Sequence, residues 1–346
     1  MEQTKMKYKY LDAARGLALF LVMFSHAHGL SSFLIFYYIQ IFFIISGYIY
    51  TPGRAYGVTI KKKAKRLLIP YFGYSAFLWC FYAVVRRDGA AMKQSLFGVI
   101  YSRFCLYNAA EGADNVYLLD IANGAMWYLT AFFVTSLLFY LIADWCLASM
   151  KRTVLVSILL LAVTMALSEL PVLLPWSIDI AGIATVLMLV GAWLRKKQFF
   201  EQKSPLWLIL LNLVLYVGVV VFNGRLNMSI RQYGRFGALS VPFFFVISIT
   251  GSVLCIWVCK WMEQTKIGTF FAYLGTHTIE LICLHMLGLE LFGVVAGHFL
   301  DVAALSGAAE WIYAAVRVAV AITGALIAGA IIRKIKTCLW GKKKGE

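Results

Sequence analysis

Ten long apolar stretches follow one another along the 346 residues of this chain, and they restrict its fold more than any other feature. A helix needs about 20 mostly apolar residues to cross about 30 Å of hydrocarbon. The stretches therefore predict an all-α, polytopic membrane bundle of about ten transmembrane helices, built as a single domain over residues 1–346. We place the spans at residues 11–30, 33–51, 67–85, 125–147, 153–170, 175–194, 206–222, 237–259, 268–292 and 309–332.

The composition excludes several other classes of protein. Hydrophobic residues make up 62% of the chain and charged residues 14%, fewer than a water-facing surface needs. The basic residues lie between the apolar stretches rather than on a soluble module, which argues against a nucleic-acid partner. No cysteine or histidine spacing is typical of a metal site, so no metal is predicted.

The distribution of Lys and Arg predicts how the chain is oriented in the bilayer. With the N-terminus inside, 23 of these residues fall in inside segments and seven in outside segments. Because basic residues favour the cytoplasmic side, both termini are predicted to be cytoplasmic. The net charge of +16 is then mainly a topology signal and an attraction to anionic lipid headgroups. The longest polar stretch, residues 86–123, is predicted to be an extracytoplasmic loop region.

Three ionisable residues lie in the first predicted span, where each is costly unless paired or hydrated. Arg15 and His26 are eleven residues apart, so they share one helix face and lie about 16 Å apart along the axis. Asp12 precedes Arg15 by one turn and is placed to pair with it. Two structural roles are the alternatives. Arg15 can extend to the cytoplasmic interface, and His26 can be a hydrogen-bonded core residue.

Further ionisable residues lie in the last two predicted spans. Glu280 and His285 are five residues apart and do not share a helix face. We expect Glu280 to face the bundle interior or a hydrated cavity, because a carboxylate facing lipid is costly. For His285 a structural hydrogen bond is the alternative to a functional role. Arg317 is expected to pair with Glu310 or Asp179.

Several segments carry motifs that resemble the integral-membrane acyltransferase family 3. The first span resembles the family's pattern of a Leu-Asp followed by an Arg and a His with ten residues between them. The resemblance covers essentially the whole chain, with Thr278 in place of the usual Ser and Cys283 in place of a commoner Leu. The other matching segments are FFIISGYIY (42–50), KKKAKRLLIPYFGY (61–74), MWYLTAFFV (126–134) and LGTHTIELICLHML (274–287).

The resemblance implies an acyl-CoA-dependent membrane O-acyltransferase. Such a protein moves an acyl group, commonly acetyl from cytoplasmic acetyl-CoA, to a hydroxyl of an extracytoplasmic or lipid-linked glycan. The acyl-CoA is then a donor substrate, and no permanently bound cofactor is implied. The segments at Asn223-Gly and Tyr233-Gly resemble a subgroup of sugar O-acetylases. The implied location is a cell membrane of bacterial type, and the implied process is modification of a cell-envelope polysaccharide.

The resemblance also implies roles for individual residues. His26 would be the general base, or less simply a transient acyl acceptor, and Arg15 would act with it or orient the thioester. The polyanionic donor must stay at the inner face, because its phosphates cannot cross hydrocarbon. The basic residues expected to bind these phosphates there are Arg15, Lys61, Lys62, Lys63 and Arg66.

A second group of residues is predicted to contact the acceptor or the developing oxyanion. Glu280, His285 and Arg317 belong to this group. Ser46, Tyr48, Trp127 and Tyr128 are further candidates, as is Arg225 in the basic loop between the seventh and eighth spans. The alternatives are close helix packing at Ser46, a membrane-interface position for Trp127 and Tyr128, and a solvated loop at Arg225. For Tyr128 the interface position is favoured.

Two alternative functions remain at this point. Intramembrane Arg, His and Glu side chains would also suit a proton-coupled transporter or flippase, although no internal repeat is evident. Within the acyltransferase class, the acceptor can instead be an amine or peptidoglycan. Neither the acyl group nor the oligomeric state follows from the sequence.

Overall fold

The structure, a computed structural model, describes residues 8–28, 39–107, 116–202, 205–223 and 240–341. These residues form twelve α-helices and two isolated β-bridges, without a strand in the described ranges, so the predicted all-α fold is confirmed. The helices are α1 (Lys9–His28), α2 (Gln40–Tyr48), α3 (Tyr56–Arg86), α4 (Gly89–Tyr101), α5 (Trp127–Leu147), α6 (Met150–Ser168), α7 (Ala181–Lys196), α8 (Leu206–Asn223), α9 (Ser240–Trp261), α10 (Lys266–Thr276), α11 (Thr278–Gly297) and α12 (Ala308–Gly341).

Seven helical segments in the described part of the chain are long and apolar enough to cross a membrane. They contain α3, α5, α6, α7, α9, α11 and α12. Each of the ten predicted spans overlaps at least one helix, and the predicted ninth span divides at His277 into α10 and α11. The count of ten spans and the cytoplasmic position of both termini stay predictions.

Helix α1 lies at the centre of the contacts that organise the bundle. It packs against α2, α9, α10, α11 and α12, and its contact with α10 is the most extensive. Two other close pairs are α2 with α7 and α11 with α12. Several faces of α1 therefore contact other helices rather than a uniform lipid surface.

Glycines permit the closest of these approaches. A Cβ atom on Gly16 of α1 would lie 1.9 Å from the carbonyl oxygen of Phe271 on α10. A Cβ atom on Gly275 of α10 would lie 1.8 Å from the carbonyl oxygen of Asp12 on α1. Helices in membranes associate through such small residues, because backbone contact replaces the missing hydrophobic driving force. The two glycines therefore fix the distance between α1 and α10.

The predicted loop region 86–123 contains ordered secondary structure in its described part. Helix α4 begins after Asp88, whose carboxylate accepts hydrogen bonds from the backbone N–H groups of Ala90 and Ala91. This is a typical helix N-cap. The residues that lead from there into α5 include fully buried Ile121 and Asn123. The loop thus folds onto the bundle before α5 begins.

Candidate active site

A cavity between α1, α2, α3, α5, α10 and α11 is lined by three cationic side chains. We call it the cationic cavity. The first of the cations comes from α1 and the other two from the start of α3. The polar residues that line the cavity are Arg15, Ser46, Lys63, Arg66, Tyr128 and Thr278. Helices that are distant in sequence therefore bring an excess of positive charge to one place.

One carboxylate partly balances this charge. Arg15 donates a hydrogen bond from Nη1 to Oδ1 of Asp12 at 2.6 Å, as the one-turn spacing predicted. Lys63 and Arg66 form no ion pair with any residue that the structure describes. The Lys63 ammonium instead lies 4.9 Å from the ring centre of Phe132, a cation–π contact. The cavity therefore keeps uncompensated positive charge that suits an anionic ligand.

The structure separates the five basic residues predicted to bind the donor into two sets. Arg15, Lys63 and Arg66 line the cationic cavity. Lys61 and Lys62 lie on an exposed face of α3 and are not part of the lining. Three of these cations are therefore positioned together, and two face outward.

A pair of histidines lies at the other end of α1. The imidazole ring centres of His26 on α1 and His285 on α11 are 5.6 Å apart. His26 is exposed, whereas His285 is fully buried. This proximity was not predicted, because the sequence does not show which faces of the first and ninth spans meet.

The hydrogen bonding of His285 defines its tautomer. Its Nδ1 lies 2.7 Å from the carbonyl oxygen of Leu281, and a carbonyl oxygen can only accept, so Nδ1 carries the proton. Its Nε2 is buried and has no hydrogen-bond partner among the described residues. A neutral imidazole then presents a free lone pair at Nε2. Such a group is available to a substrate hydroxyl or to a neighbouring imidazole.

The cationic cavity and the histidine pair share two helices. Helix α1 carries Arg15 and His26 on one face, about 16 Å apart along its axis. Helix α11 carries the cavity residue Ile282 and, one turn later, His285. The α1 face between Arg15 and His26 is occupied by Leu19, which is 2% exposed, and by half-buried Val22. The two sites are thus adjoining regions with packed apolar side chains between them.

The residues predicted to stabilise an oxyanion are spread over several places. Ser46 lines the cationic cavity, while the next residue, Gly47, makes the close contact with the backbone of Met188 on α7. Gly47 thus provides the close helix packing, and the oxyanion role of Ser46 stays a prediction. Tyr48 does not reach the cavity, because it is fully buried elsewhere and donates a hydrogen bond to Glu201 at 3.0 Å. The structure thus places Tyr48 outside the cavity lining, and no observation supports its predicted oxyanion contact.

Two aromatic residues begin α5. The interface position favoured for Tyr128 is wrong, because this residue is 9% exposed and lines the cationic cavity. Its hydroxyl has no partner in the described part of the chain. Trp127 is half-buried, with its ring centre 6.3 Å from that of Tyr128, and it does not belong to the cavity lining. Its contact with an acceptor stays a prediction.

Of the remaining predicted charges, Glu280 has a partner on α12 and Arg317 lacks its predicted carboxylate. Glu280 pairs with Arg333, so the pair accounts for this intramembrane carboxylate. The predicted partner of Arg317 is wrong. Glu310 instead lies 3.6 Å from His28, and Asp179 forms a buried ion pair with Arg103 at 2.8 Å. The sequence favoured the wrong carboxylates because proximity between distant helices depends on packing. Arg225 falls outside the described ranges.

Two features of the site were missed by sequence reasoning. Thr278 lines the cavity, although it was noted only as a departure from a motif. Gly275 positions α10 against the backbone of Asp12, next to the cation of Arg15. The signal available was the small residue within the segment LGTHT, but a glycine alone does not identify the helix that approaches it.

The fold and the site together define a helical bundle suited to a membrane, with polar groups gathered in its interior. The profile of a family described as an acyltransferase domain matches residues 8–332, which is more than nine tenths of the chain. The chain therefore belongs to acyltransferase family 3 and is a multi-pass membrane acyltransferase. No curated protein and no solved structure matches the chain.

Proposed function

We propose that the protein transfers an acyl group, most simply acetyl, from cytoplasmic acyl-CoA to a hydroxyl of an extracytoplasmic or lipid-linked glycan. The observation that carries the proposal is the pairing of the cationic cavity with a histidine pair on the same two helices. An acyl-CoA has an anionic end and a distant thioester, linked by an extended arm. The two regions of the site have the charge and the chemistry to receive these two ends.

The donor would bind through its phosphates to the cationic cavity. Lys63 and Arg66 carry charges that no described carboxylate neutralises, and Arg15 contributes a third cation. Hydrogen bonds between such cations and phosphate oxygens are about twice as strong as bonds between neutral groups. The predicted topology places this end of α1 at the cytoplasmic side, where acyl-CoA is present. Leu19 and Val22 lie on the face that leads to His26, and both belong to or pack against the apolar core. The arm must therefore displace apolar side chains to reach it.

Proton transfer would take place at the histidine pair. Neutral His26 accepts the proton of the acceptor hydroxyl while the hydroxyl oxygen attacks the thioester carbonyl carbon. The carbon–sulfur bond then breaks, and the CoA thiolate takes the proton back from His26. The proton on Nδ1 of His285 is fixed by Leu281, so its Nε2 can accept a hydrogen bond from the acceptor or from His26. His285 would thereby orient the groups that react.

Family membership favours an acyltransferase over the transporter and flippase alternative. The acceptor class is decided by experiment. The full chain is placed in nanodiscs with radiolabelled acetyl-CoA and, separately, a polysaccharide, a lipid-linked sugar, an amine or peptidoglycan. We expect acetyl transfer to a glycan hydroxyl together with release of CoA. Transfer only to the amine or to peptidoglycan would overturn the proposed acceptor class.

The role of His26 is tested in the same assay. His26→Ala should lower transfer by about 10²- to 10⁴-fold, the usual contribution of general acid–base catalysis. His298→Ala is the matched control, because His298 is an exposed histidine at the end of α11. Both variants should unfold at the wild-type temperature. Full transfer by His26→Ala would show that another group takes the proton.

A further inference from the structure

Arg317 of α12 is a cation without a carboxylate partner among the residues that the structure describes. Its Nε donates a hydrogen bond to the carbonyl oxygen of Leu289 on α11 at 2.9 Å. Its Nη1 donates to the carbonyl oxygen of Ala27 on α1 at 3.3 Å. Two helix carbonyls thus hold the guanidinium in place without neutralising its charge.

The carboxylates nearest in sequence to these contacts are engaged elsewhere. Glu290 accepts a hydrogen bond of 2.5 Å from the hydroxyl of Tyr82 on α3. Glu310 faces His28, with 3.6 Å between the carboxylate oxygen and the imidazole nitrogen. An unneutralised guanidinium inside a membrane bundle is costly, so such a group is a functional candidate. The charge of Arg317 therefore remains available to a ligand.

The two carbonyls place Arg317 beside the histidine pair. Ala27 directly follows His26 along α1, and Leu289 lies one turn beyond His285 along α11. The guanidinium thus bridges the two helices that supply the histidines. It lies at the level where the proposed acceptor hydroxyl must be held.

One nitrogen of the guanidinium, Nη2, is not used by the two carbonyl contacts. No hydrogen bond from Nη2 is seen in the described part of the chain. The nearest atom to a Cβ built on Gly293 of α11 would be this Nη2, at 3.6 Å. A side chain at position 293 would therefore contact this edge of the guanidinium, and glycine places none there. A planar guanidinium presents its donors in a fork that matches phosphate and carboxylate oxygens.

We propose that Arg317 binds an anionic group of the acceptor, a phosphate ester or a carboxylate, and so positions the acceptor beside His26. That the ligand is the acyl acceptor rests on the proposed function. That Arg317 binds an anion does not depend on it. A purely structural role is the competing explanation, because the two carbonyl contacts also join α1, α11 and α12. A structural role predicts a change in stability but no dependence of anion binding on this residue.

The test is a binding titration that uses no acyl-CoA, so it remains informative even if transfer is never detected. The full chain in an uncharged maltoside detergent is titrated with dodecyl phosphate, dodecanoate, inorganic phosphate and uncharged dodecanol by calorimetry. We expect a dodecyl anion to bind and dodecanol not to bind. The tighter of dodecyl phosphate and dodecanoate identifies the anionic group. If only inorganic phosphate binds, the anionic ligand of Arg317 is a soluble phosphate rather than an amphiphile.

Variants assign the binding to the side chain. Arg317→Gln should weaken binding by at least about tenfold, as expected for the loss of a charge-assisted contact. Arg317→Lys keeps the positive charge but lacks the forked donors of the guanidinium. Its loss of affinity for the anion should therefore be smaller but measurable. Lys334→Gln, an exposed cation on the same helix, should bind as the wild type does. If Arg317→Gln does not fold, Arg317→Lys with unchanged affinity overturns the proposal. The proposal is also overturned if Arg317→Gln binds the anion as tightly as the wild type does, or if the wild type binds no anion.

Discussion

Replacing Gly275 by alanine tests whether the close contact between α1 and α10 positions the cationic cavity. The added Cβ would lie 1.8 Å from the carbonyl oxygen of Asp12, and ordinary contact begins near 3.4 Å. The backbone of α1 must therefore retreat by more than 1 Å. Overpacking of this kind costs about 1–3 kcal/mol. A misplacement of about 1 Å can also lower the rate of a positioned reaction by about 10²-fold.

Two measurements on Gly275→Ala separate these effects. Thermal unfolding in nanodiscs should occur at a lower temperature, and the affinity for radiolabelled acetyl-CoA should fall because Arg15 moves with Asp12. Gly73→Ala is the matched control, since a Cβ there meets nothing within 4 Å. This control should unfold at the same or a higher temperature, because alanine favours a helix by about 1 kcal/mol over glycine. An unchanged unfolding temperature and donor affinity in Gly275→Ala would refute the reasoning.

Two further substitutions test single contacts in the cavity. Lys63→Gln should raise the KM for acetyl-CoA by about tenfold, equivalent to the ~1.5 kcal/mol of a charge-assisted hydrogen bond. Exposed Lys65→Gln is its control, and equal KM values in the two variants would contradict a donor role for Lys63. Tyr128→Phe should keep or raise the unfolding temperature, because it removes a buried hydroxyl for which no partner is described. Tyr71→Phe, which loses a hydrogen bond of 2.7 Å to Val99, should instead cost about 1 kcal/mol. A similar loss of stability in Tyr128→Phe and Tyr71→Phe would show that the Tyr128 hydroxyl stabilises the fold.

The positions of the helices followed from the sequence because hydrocarbon leaves the backbone few choices. Every predicted span overlaps a helix, since an apolar segment in a membrane must satisfy its own N–H and C=O groups. Helix α4 was not predicted as a helix, because its apolar run is short and lies in a polar region. The division of the ninth span at His277 was also missed, since the apolar pattern continues across it.

Contacts within one helix were predictable, and contacts between helices were not. The pairing of Asp12 with Arg15 followed from a one-turn spacing and is present at 2.6 Å. The partner chosen for Arg317 was wrong, because candidate carboxylates on other helices can be ranked only when the packing is known. The position of Tyr128 was misjudged for the same reason. A residue at the start of a span resembles an interface aromatic until its neighbours are known.

The sequence by itself determined a helical membrane acyltransferase with few ionisable residues in its spans, and it singled out Arg15 and His26 on one face of the first helix. Helical periodicity and the cost of charge in hydrocarbon were sufficient for the helices and for the two residues, whereas the acyltransferase class came from the motifs that resemble the family. Only the tertiary structure decided that Lys63 and Arg66 join Arg15, and that His285 lies beside His26. Helices meet through a few small residues whose partners are far away in sequence. The composition of the site therefore depends on which backbones approach each other.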